Sequence, residues 1–454
     1  MKRFFEAKTV ALIGASDRAT RPGYHLFSNM NAGFGERLYP VNPKLVEIEG
    51  RRCYPTILDV PSEIDLAVVF IPARSVPEAL EQCAKKGISR VIIESGGFAE
   101  AGPEGVALQQ KCLQIARNAE MRLWGPNCMG LINVIQKKVL SFMRSHWRDS
   151  FIPGTVSLVV QSGMLSAGFL AYVLADSPFG LSKVASIGNK VDVDETELLE
   201  YLVDDPDTGV IALYLESLER GRRFFELCRS TDKPIIALKA GRTDLGAQAA
   251  RSHTASLAQN DEILDAAFRH AGVVRVYDFR ELFDVARAFG AWNAPATGRK
   301  RVAVLTFSGG AAVLAADSLS DYGMQIATLS ESAVAELKKV FPEWMEPANP
   351  VDLYPAIERS GPAQALQQAL EAVVQDPAVD AVYIHTISGI YTEGADFERI
   401  ATIARRLEKP LVLWNMGDAA MVAEIRRKLE ALGIPVLDEI NRGVRALAAL
   451  TRGR

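Results

Sequence analysis

A chain of 454 residues exceeds what one hydrophobic core can organise and points to two to four domains. Its hydrophobic fraction of 48% and charged fraction of 23% are those of an ordinary globular protein, which excludes a disordered or fibrous chain. A net charge of -4 gives no basic surface for nucleic acid, and no stretch approaches about 18 uninterrupted apolar residues, so neither nucleic acid nor a membrane is an expected partner.

The N-terminal Met1-Lys2-Arg3-Phe4-Phe5-Glu6 begins with a basic pair, but Glu6 interrupts it before an apolar stretch of signal-peptide length can form. A cytoplasmic location is expected. Five cysteines without a CxxC pair argue against a disulfide framework or a zinc site. Cys128, in Gly-Pro-Asn-Cys-Met-Gly, reads as a buried structural thiol.

Short β-branched runs alternate with helical stretches along most of the chain, the pattern of parallel-sheet α/β domains. Three doubly wound units are expected: residues 1–145, 151–292 and 299–454. The first opens with Thr9-Val10-Ala11-Leu12-Ile13-Gly14, a strand running into a glycine turn. Further strands are expected at Leu38 to Asn42, Leu66 to Ile71 and Arg90 to Ile93, with an amphipathic helix over Ser75 to Lys86. The second starts at Val156 to Gly163 and the third at Arg301 to Gly309, separated by a small, turn-rich linker from Asn293 to Gly298.

Gly14-Ala15-Ser16 after a strand suggests a Rossmann-like nucleotide site, but the next glycine is Gly23, so the GxGxxG fingerprint is absent. The second strand ends in Val41-Asn42-Pro43-Lys44, where an NAD site would place Asp or Glu on the ribose hydroxyls. A lysine there suits a phosphorylated ribose, so coenzyme A, with its 3′-phosphate, or another phosphorylated nucleotide fits better than NAD. The alternative for Lys44 is a solvated loop lysine.

The second and third units read as diverged copies of one plan. Each begins strand, Ser-Gly, helix, and each has Lys-Pro before a later apolar strand, at Lys233-Pro234 and Lys409-Pro410. They differ in spacing: Gly241 to Gly272 spans 31 positions, and Gly417 to Gly433 only 16. The extra 15 hold Arg251-Ser252-His253-Thr254-Ala255-Ser256, in a loop after a strand, where such folds keep their chemistry. Small hydroxyl residues around His253 leave room for a phosphoryl group on the imidazole. Gln161-Ser162-Gly163, ending a strand and opening a helix, would offer amides and a helix dipole to the anion. Glu216, directly off an apolar strand, is either the carboxylate that orients the ring or a solvated strand-end acid. His385 reads as a structural histidine at a strand end.

The ordered set Ile13-Gly14-Ala15-Ser16, Tyr39-Pro40-Val41-Asn42-Pro43-Lys44, Ser95-Gly96-Gly97-Phe98 and Gly125-Pro126-Asn127-Cys128-Met129-Gly130 resembles the coenzyme-A-binding domain of the NDP-forming acyl-CoA synthetases. The resemblance continues from about residue 8 to residue 450. It implies a Rossmann-like CoA-binding domain followed by two flavodoxin-like domains. It places coenzyme A against Gly14, Ala15, Ser16, Lys44, Ile71, Pro72, Glu94, Ser95 and Gly96. It makes His253 the phosphohistidine, Glu216 its orienting acid, and Gln161, Ser162 and Gly163 the phosphate-binding turn, with Ile187 to Asp194 near the acyl site. One departure is visible: Ala255 stands where acetate-type members commonly have glycine.

The implied activity interconverts acyl-CoA, NDP and phosphate with carboxylic acid, CoA and NTP through an acyl phosphate and a phosphohistidine. The sequence shows no Walker-type run and no ATP-grasp domain. The resemblance therefore puts nucleotide and Mg2+ on a separate ATP-grasp beta-type subunit, in a hetero-oligomer. Two alternatives remain at this point: a coenzyme-A-sensing protein without ligase activity, and an NAD-dependent oxidoreductase, which the missing glycines and Lys44 oppose.

Overall fold

The computed structural model describes residues 1–176, 178–246, 248, 260–292, 298–388 and 394–452. The expected linker at 293–297 and the segment from Arg251 to Ser256, His253 included, lie outside the described residues. Contacts divide the chain into two compact units, Met1–Tyr277 and Asp278–Arg454.

The chain is α/β throughout, built on three largely parallel sheets. The first contains β1 (Val10–Ile13), β2 (Leu38–Val41), β3 (Leu66–Val69), β4 (Arg90–Ile93) and β5 (Arg122–Trp124), in the order β2-β1-β3-β4-β5 and all parallel. Both faces are covered, so β1 and β3 are buried at every position and read as continuous apolar runs. The pleat sends alternate residues to opposite cores. Ala11, Ile13, Ala67, Val69, Val91 and Ile93 meet one face, while Val10, Leu12, Val68 and Ile92 meet the other. The helix Pro22–Phe34 has proline in its first turn, where no N–H is missed, and buries Leu26, Phe27, Met30 and Phe34 at helical spacing.

The second sheet adds β6 (Leu131–Asn133), β7 (Lys138–Leu140), β8 (Ile152–Val160), β9 (Gly180–Ser186), β10 (Val210–Leu215), β11 (Ile235–Lys239) and β12 (Val274–Val276). Their order is β12-β11-β10-β8-β9-β6-β7. Five strands are parallel, while β6 pairs antiparallel with β9 and with β7. Residues 131–140 thus fall in the expected range of the first domain but hydrogen-bond into the second sheet. The four-residue gap between β6 and β7 allows only a hairpin, which the free edge of β9 receives. One apolar core runs from Val10, Leu12 and Trp124 through Leu131 and Leu140 to Val159, Leu213 and Phe268. Trp124 donates its indole N–H to the Ser186 carbonyl at 2.7 Å, and Arg122 pairs with Asp192 and Glu197 at 2.8 and 2.7 Å.

In the second unit, β13 (Arg301–Thr306), β14 (Gln325–Ile326), β16 (Ala381–Ile387), β17 (Leu411–Met416) and β18 (Val436–Leu437) run in the order β14-β13-β16-β17-β18, with β15 (Val351–Asp352) also on β13. Asn349 fills the gap between β14 and β15: its side chain accepts from Val304 N–H at 2.9 Å and donates to the Val302 and Ala327 carbonyls. The helix Phe279–Trp292, at the end of the range expected for the second domain, is part of this unit and holds Arg442 through both oxygens of Asp284 at 2.7 Å.

His385 lies stacked on Trp414 at 4.0 Å, its Nδ1 3.0 Å from the Thr306 hydroxyl and its Nε2 3.2 Å from the Met416 sulfur. Burial pulls its pKa down to about 4, so the ring is neutral and serves packing. Among the described residues, no helix is long and apolar enough to cross a membrane.

Candidate functional site

The strand order of the first sheet reverses between β1 and β3, and ligands of open α/β sheets bind at such a switch point, beyond the strand C-termini. Gly14 is at φ +103, its N–H donates to the Val41 carbonyl at 3.0 Å, and a Cβ there would overlap the Phe70 carbonyl. Only glycine lets the chain turn this close to β3. Asn42 fixes the neighbouring loop: its amide donates to the Ala15 carbonyl, and its Oδ1 accepts from Lys44 N–H, both at 2.8 Å. Lys44 is thereby held at the edge with its side chain exposed. Across the switch point, Ile71 N–H donates to Ser95 Oγ at 3.1 Å, which ties the ends of β3 and β4 together. Pro72 opens the turn Ala73–Ser75 beside Gly97. All nine residues expected around coenzyme A therefore gather on one edge of one sheet.

Glu94 differs from the rest. It is 2% exposed, and neither carboxylate oxygen has a hydrogen-bonding partner among the described residues. Its side chain points beneath the loop 125–130, against Gly130. Burial pushes its pKa well above the usual carboxylate range and so favours the neutral acid. A folded-state pKa raised above the unfolded value stabilises fully below the ordinary glutamate pKa, and this stability is lost as pH rises through the folded value. Glu94→Gln is therefore expected to gain stability relative to the wild type as pH increases from 5 to 8. Urea unfolding midpoints across that range check this, and parallel profiles for the two proteins would refute it.

The second sheet presents its own edge nearby in the same unit. After β8, Gln161 is buried, and its Oε1 accepts from the N–H groups of Glu216 and Ser217, the latter at 3.0 Å. Gln161 is thus a strap between the ends of β8 and β10, its Oε1 taken up by backbone N–H groups. It holds Glu216 beside Ser162. Ser162 begins a helix of only one turn, Gly163–Ser166, broken at Ala167 before the chain resumes as Gly168–Asp176. The expected helix dipole is correspondingly short, which leaves the local N–H groups and nearby cations to attract an anion.

Two such cations sit at this edge. Lys190, at φ +45, is buried and donates to Glu195 at 2.8 Å and to the Ser217 carbonyl at 3.2 Å. Lys239, the last residue of β11, is 7% exposed and donates to the Ala240 carbonyl at 2.6 Å. Burial lowers the Lys239 pKa, with Asp261 and Glu216 pulling the other way. Glu216 itself accepts from the Tyr214 hydroxyl at 3.3 Å. Leu215 pairs with Lys239 in register, so the chain that leaves β11 toward His253 starts directly beside Glu216. Sequence reasoning did not single out either lysine; a charged residue closing an all-apolar strand is the signal that marks Lys239.

The loop 125–130 joins the two edges. Asn127 N–H donates to the Ser95 carbonyl at 2.9 Å, Met129 N–H to Ser186 Oγ at 3.0 Å, and Val191 N–H to the Gly125 carbonyl at 3.0 Å. Asn189 N–H donates to the Pro126 carbonyl at 2.9 Å, while its side chain donates to Glu100 at 2.6 Å. Burial of Glu100 would raise its pKa, but hydrogen bonds from Asn189, Gly97 and Phe98 hold it below the usual range. The ends of the first two sheets are in this way tied together through this loop.

Comparison with known proteins agrees with this geometry. Residues 8–134 match the family described as CoA binding domain, and residues 153–289 the family described as succinyl-CoA ligase like flavodoxin domain. An ADP-forming acetate–CoA ligase I subunit alpha of Pyrococcus furiosus is 36% identical over 469 residues, covering 99% of this chain and 97% of the relative. An ADP-forming acetate–CoA ligase II of Archaeoglobus fulgidus is 36% identical over the whole chain, which spans 67% of that longer protein. Among solved structures, the dinucleotide-forming acetyl-coenzyme A synthetase 1 of Ca. Korarchaeum cryptofilum, in complex with phosphate and ADP, has a TM-score of 0.86 at 31% identity, over 99% of this chain and 96% of that one. A chain of this length, matched end to end by such subunits, belongs to the family of ADP-forming acetate–CoA ligases and is of its alpha-subunit type.

Proposed function

We propose that coenzyme A binds the edge formed by Gly14, Ala15, Ser16, Lys44, Ile71, Pro72, Ser95 and Gly96, and that its thiol reaches across the loop 125–130 to the Ser162 turn. The observation that supports this most is the stitching of the ends of the first two sheets by that loop, through bonds to Ser95, Ser186 and Val191. A thioester carbonyl delivered there is attacked by phosphate, which gives an acyl phosphate and releases the CoA thiol. His253 then takes the phosphoryl group, and the carboxylate leaves. Dividing the transfer in two through a covalent histidine is nucleophilic catalysis.

Ser162 and Gly163 hold the phosphate oxygens through backbone N–H groups, Lys190 and Lys239 supply the positive field, and Glu216 orients the imidazole. Lys44 contacts the phosphates of coenzyme A. Nucleotide and Mg2+ belong to an ATP-grasp beta-type partner, to which phosphohistidine hands its phosphoryl group to make NTP.

The test is to incubate the purified chain with acyl-CoA and radioactive phosphate. Acid-labile, base-stable label on the protein is expected without any nucleotide, and NTP only after an ATP-grasp partner and NDP are added. Absence of label with several acyl-CoA substrates would defeat the reading and favour a coenzyme-A-binding protein without ligase activity.

A further inference from the structure

If the thiol and the phosphate meet as proposed above, the acyl group lies in the seam between the loop 125–130 and the Ser162 turn. The side chain found there is Met129. It is half-buried, and its backbone is fixed by the bond from its N–H to Ser186 Oγ at 3.0 Å. Its residue neighbours cannot move to make way. Cys128 is buried under the Ile93 carbonyl at 3.4 Å, and Gly130, at φ +67, has no room for a Cβ between Leu140 and Glu94. A Cβ on Gly163 would come within 2.9 Å of Met129 Cγ, so this side chain covers the last residue of the proposed phosphate turn. Between a pinned backbone and a glycine that it covers, Met129 is a wall whose reach is set by its own length.

We infer that Met129 sets the size of the acyl group, in a wall suited to short unbranched aliphatic chains. The inference rests on the proposed placement of the acyl phosphate. A thioether side chain has three rotatable bonds and adapts to irregular apolar neighbours, which fits a linear alkyl group better than a rigid ring. Truncating it opens volume at the end of the acyl chain, and enlarging it closes that volume. Neither change touches the edge that carries Gly14, Lys44 and Ser95, so coenzyme A itself should not sense them. Met129 is in this sense a specificity-determining residue that shapes the space for the substrate, while the reaction's nucleophile and acids lie elsewhere.

The experiment is calorimetric titration of CoA, acetyl-CoA, butanoyl-CoA and hexanoyl-CoA into the full chain. It compares the wild type with Met129→Ala, Met129→Phe and the volume-conserving Met129→Leu. CoA affinity is expected to stay within about twofold in all four proteins. The ratio of hexanoyl-CoA to acetyl-CoA affinity should rise about fivefold or more in Met129→Ala and fall by a similar factor in Met129→Phe, with Met129→Leu near the wild type. An unchanged ratio across the four proteins would overturn the inference. Should one variant not fold, the opposite change in the other still decides it, because each predicts a shift of fixed direction. Failure of CoA to bind the wild type at all is read from the CoA arm alone. That outcome defeats the assignment of the first sheet's edge, and this inference with it.

Discussion

His253→Asn is expected to carry no phosphoryl label at all when incubated with acyl-CoA and radioactive phosphate, while still binding coenzyme A as the wild type does. Asparagine keeps a polar side chain in the loop but lacks the ring nitrogen that forms the bond, so the loss is complete rather than partial. Removing a covalent nucleophile lowers turnover by on the order of a million-fold where it has been measured in other enzymes, far beyond any binding effect. Glu216→Gln should behave differently: the label forms more slowly but forms, because the amide keeps a hydrogen bond to the ring and loses only its charge. Label on His253→Asn equal to that of the wild type would place the phosphoryl group on another residue, with His270 the next to examine.

Gly188→Ala should destabilise the Met1–Tyr277 unit by about 3 kcal/mol, from left-handed strain and overpacking acting together. Gly188 sits at φ +54, and a Cβ there would overlap both the Pro126 and the Asn127 carbonyl oxygens. These carbonyls belong to the loop that links the two edges of the site, and as peptide oxygens they cannot swing aside as a flexible side chain can. Gly87, at φ +80 just past a helix C-terminus, has nothing within 4 Å of its Cβ position and supplies the control. Gly87→Ala carries the left-handed backbone strain alone and should lose about 1 kcal/mol. Urea unfolding of the two variants separates the terms, and equal losses would show that the loop does not press on Gly188. A loss of CoA affinity in Gly188→Ala, absent from Gly87→Ala, would further tie that loop to ligand binding.

The elements that sequence reading located share a physical character. Strands such as Val10–Ile13 and Leu66–Val69 are buried on both faces, so their apolar runs are unbroken and unmistakable. Gly14 could be read because a glycine turn directly after the first strand has a fixed meaning in a nucleotide fold.

What remained hidden depends on packing between distant segments. Gln161 reads from the sequence only as part of a turn, and its bonds to Glu216 and Ser217, 55 and 56 positions away, show that its side chain straps two strand ends together. Glu94 looks like one more residue on a loop, and its burial under Gly130 follows from how the loop 125–130 folds back. The break at Ala167, at φ -134 and ψ -85, has no breaker residue of its own to announce it. Sequence reading placed His253 in an insertion by comparing two spacings, and the role proposed for it rests on that and on the family resemblance.

The hairpin of Leu131–Asn133 and Lys138–Leu140 has a consequence for how this protein can be divided. The second sheet takes its outermost pair from chain that precedes Ile152, so a gene fragment beginning near residue 151 would encode that sheet two strands short. The flank of Gly180–Ser186 would then stand bare, with unsatisfied N–H and C=O groups along a nearly all-buried strand. Such a fragment would recruit other copies of itself to cover that flank and come out of the cell as aggregate. A fragment cut at residue 145 would keep the hairpin but nothing to lay it on. Shuffling of these domains between relatives therefore has to carry residues 1–277 as one cassette, and an engineer seeking a portable coenzyme A module should clone to Tyr277 rather than stop after the first sheet.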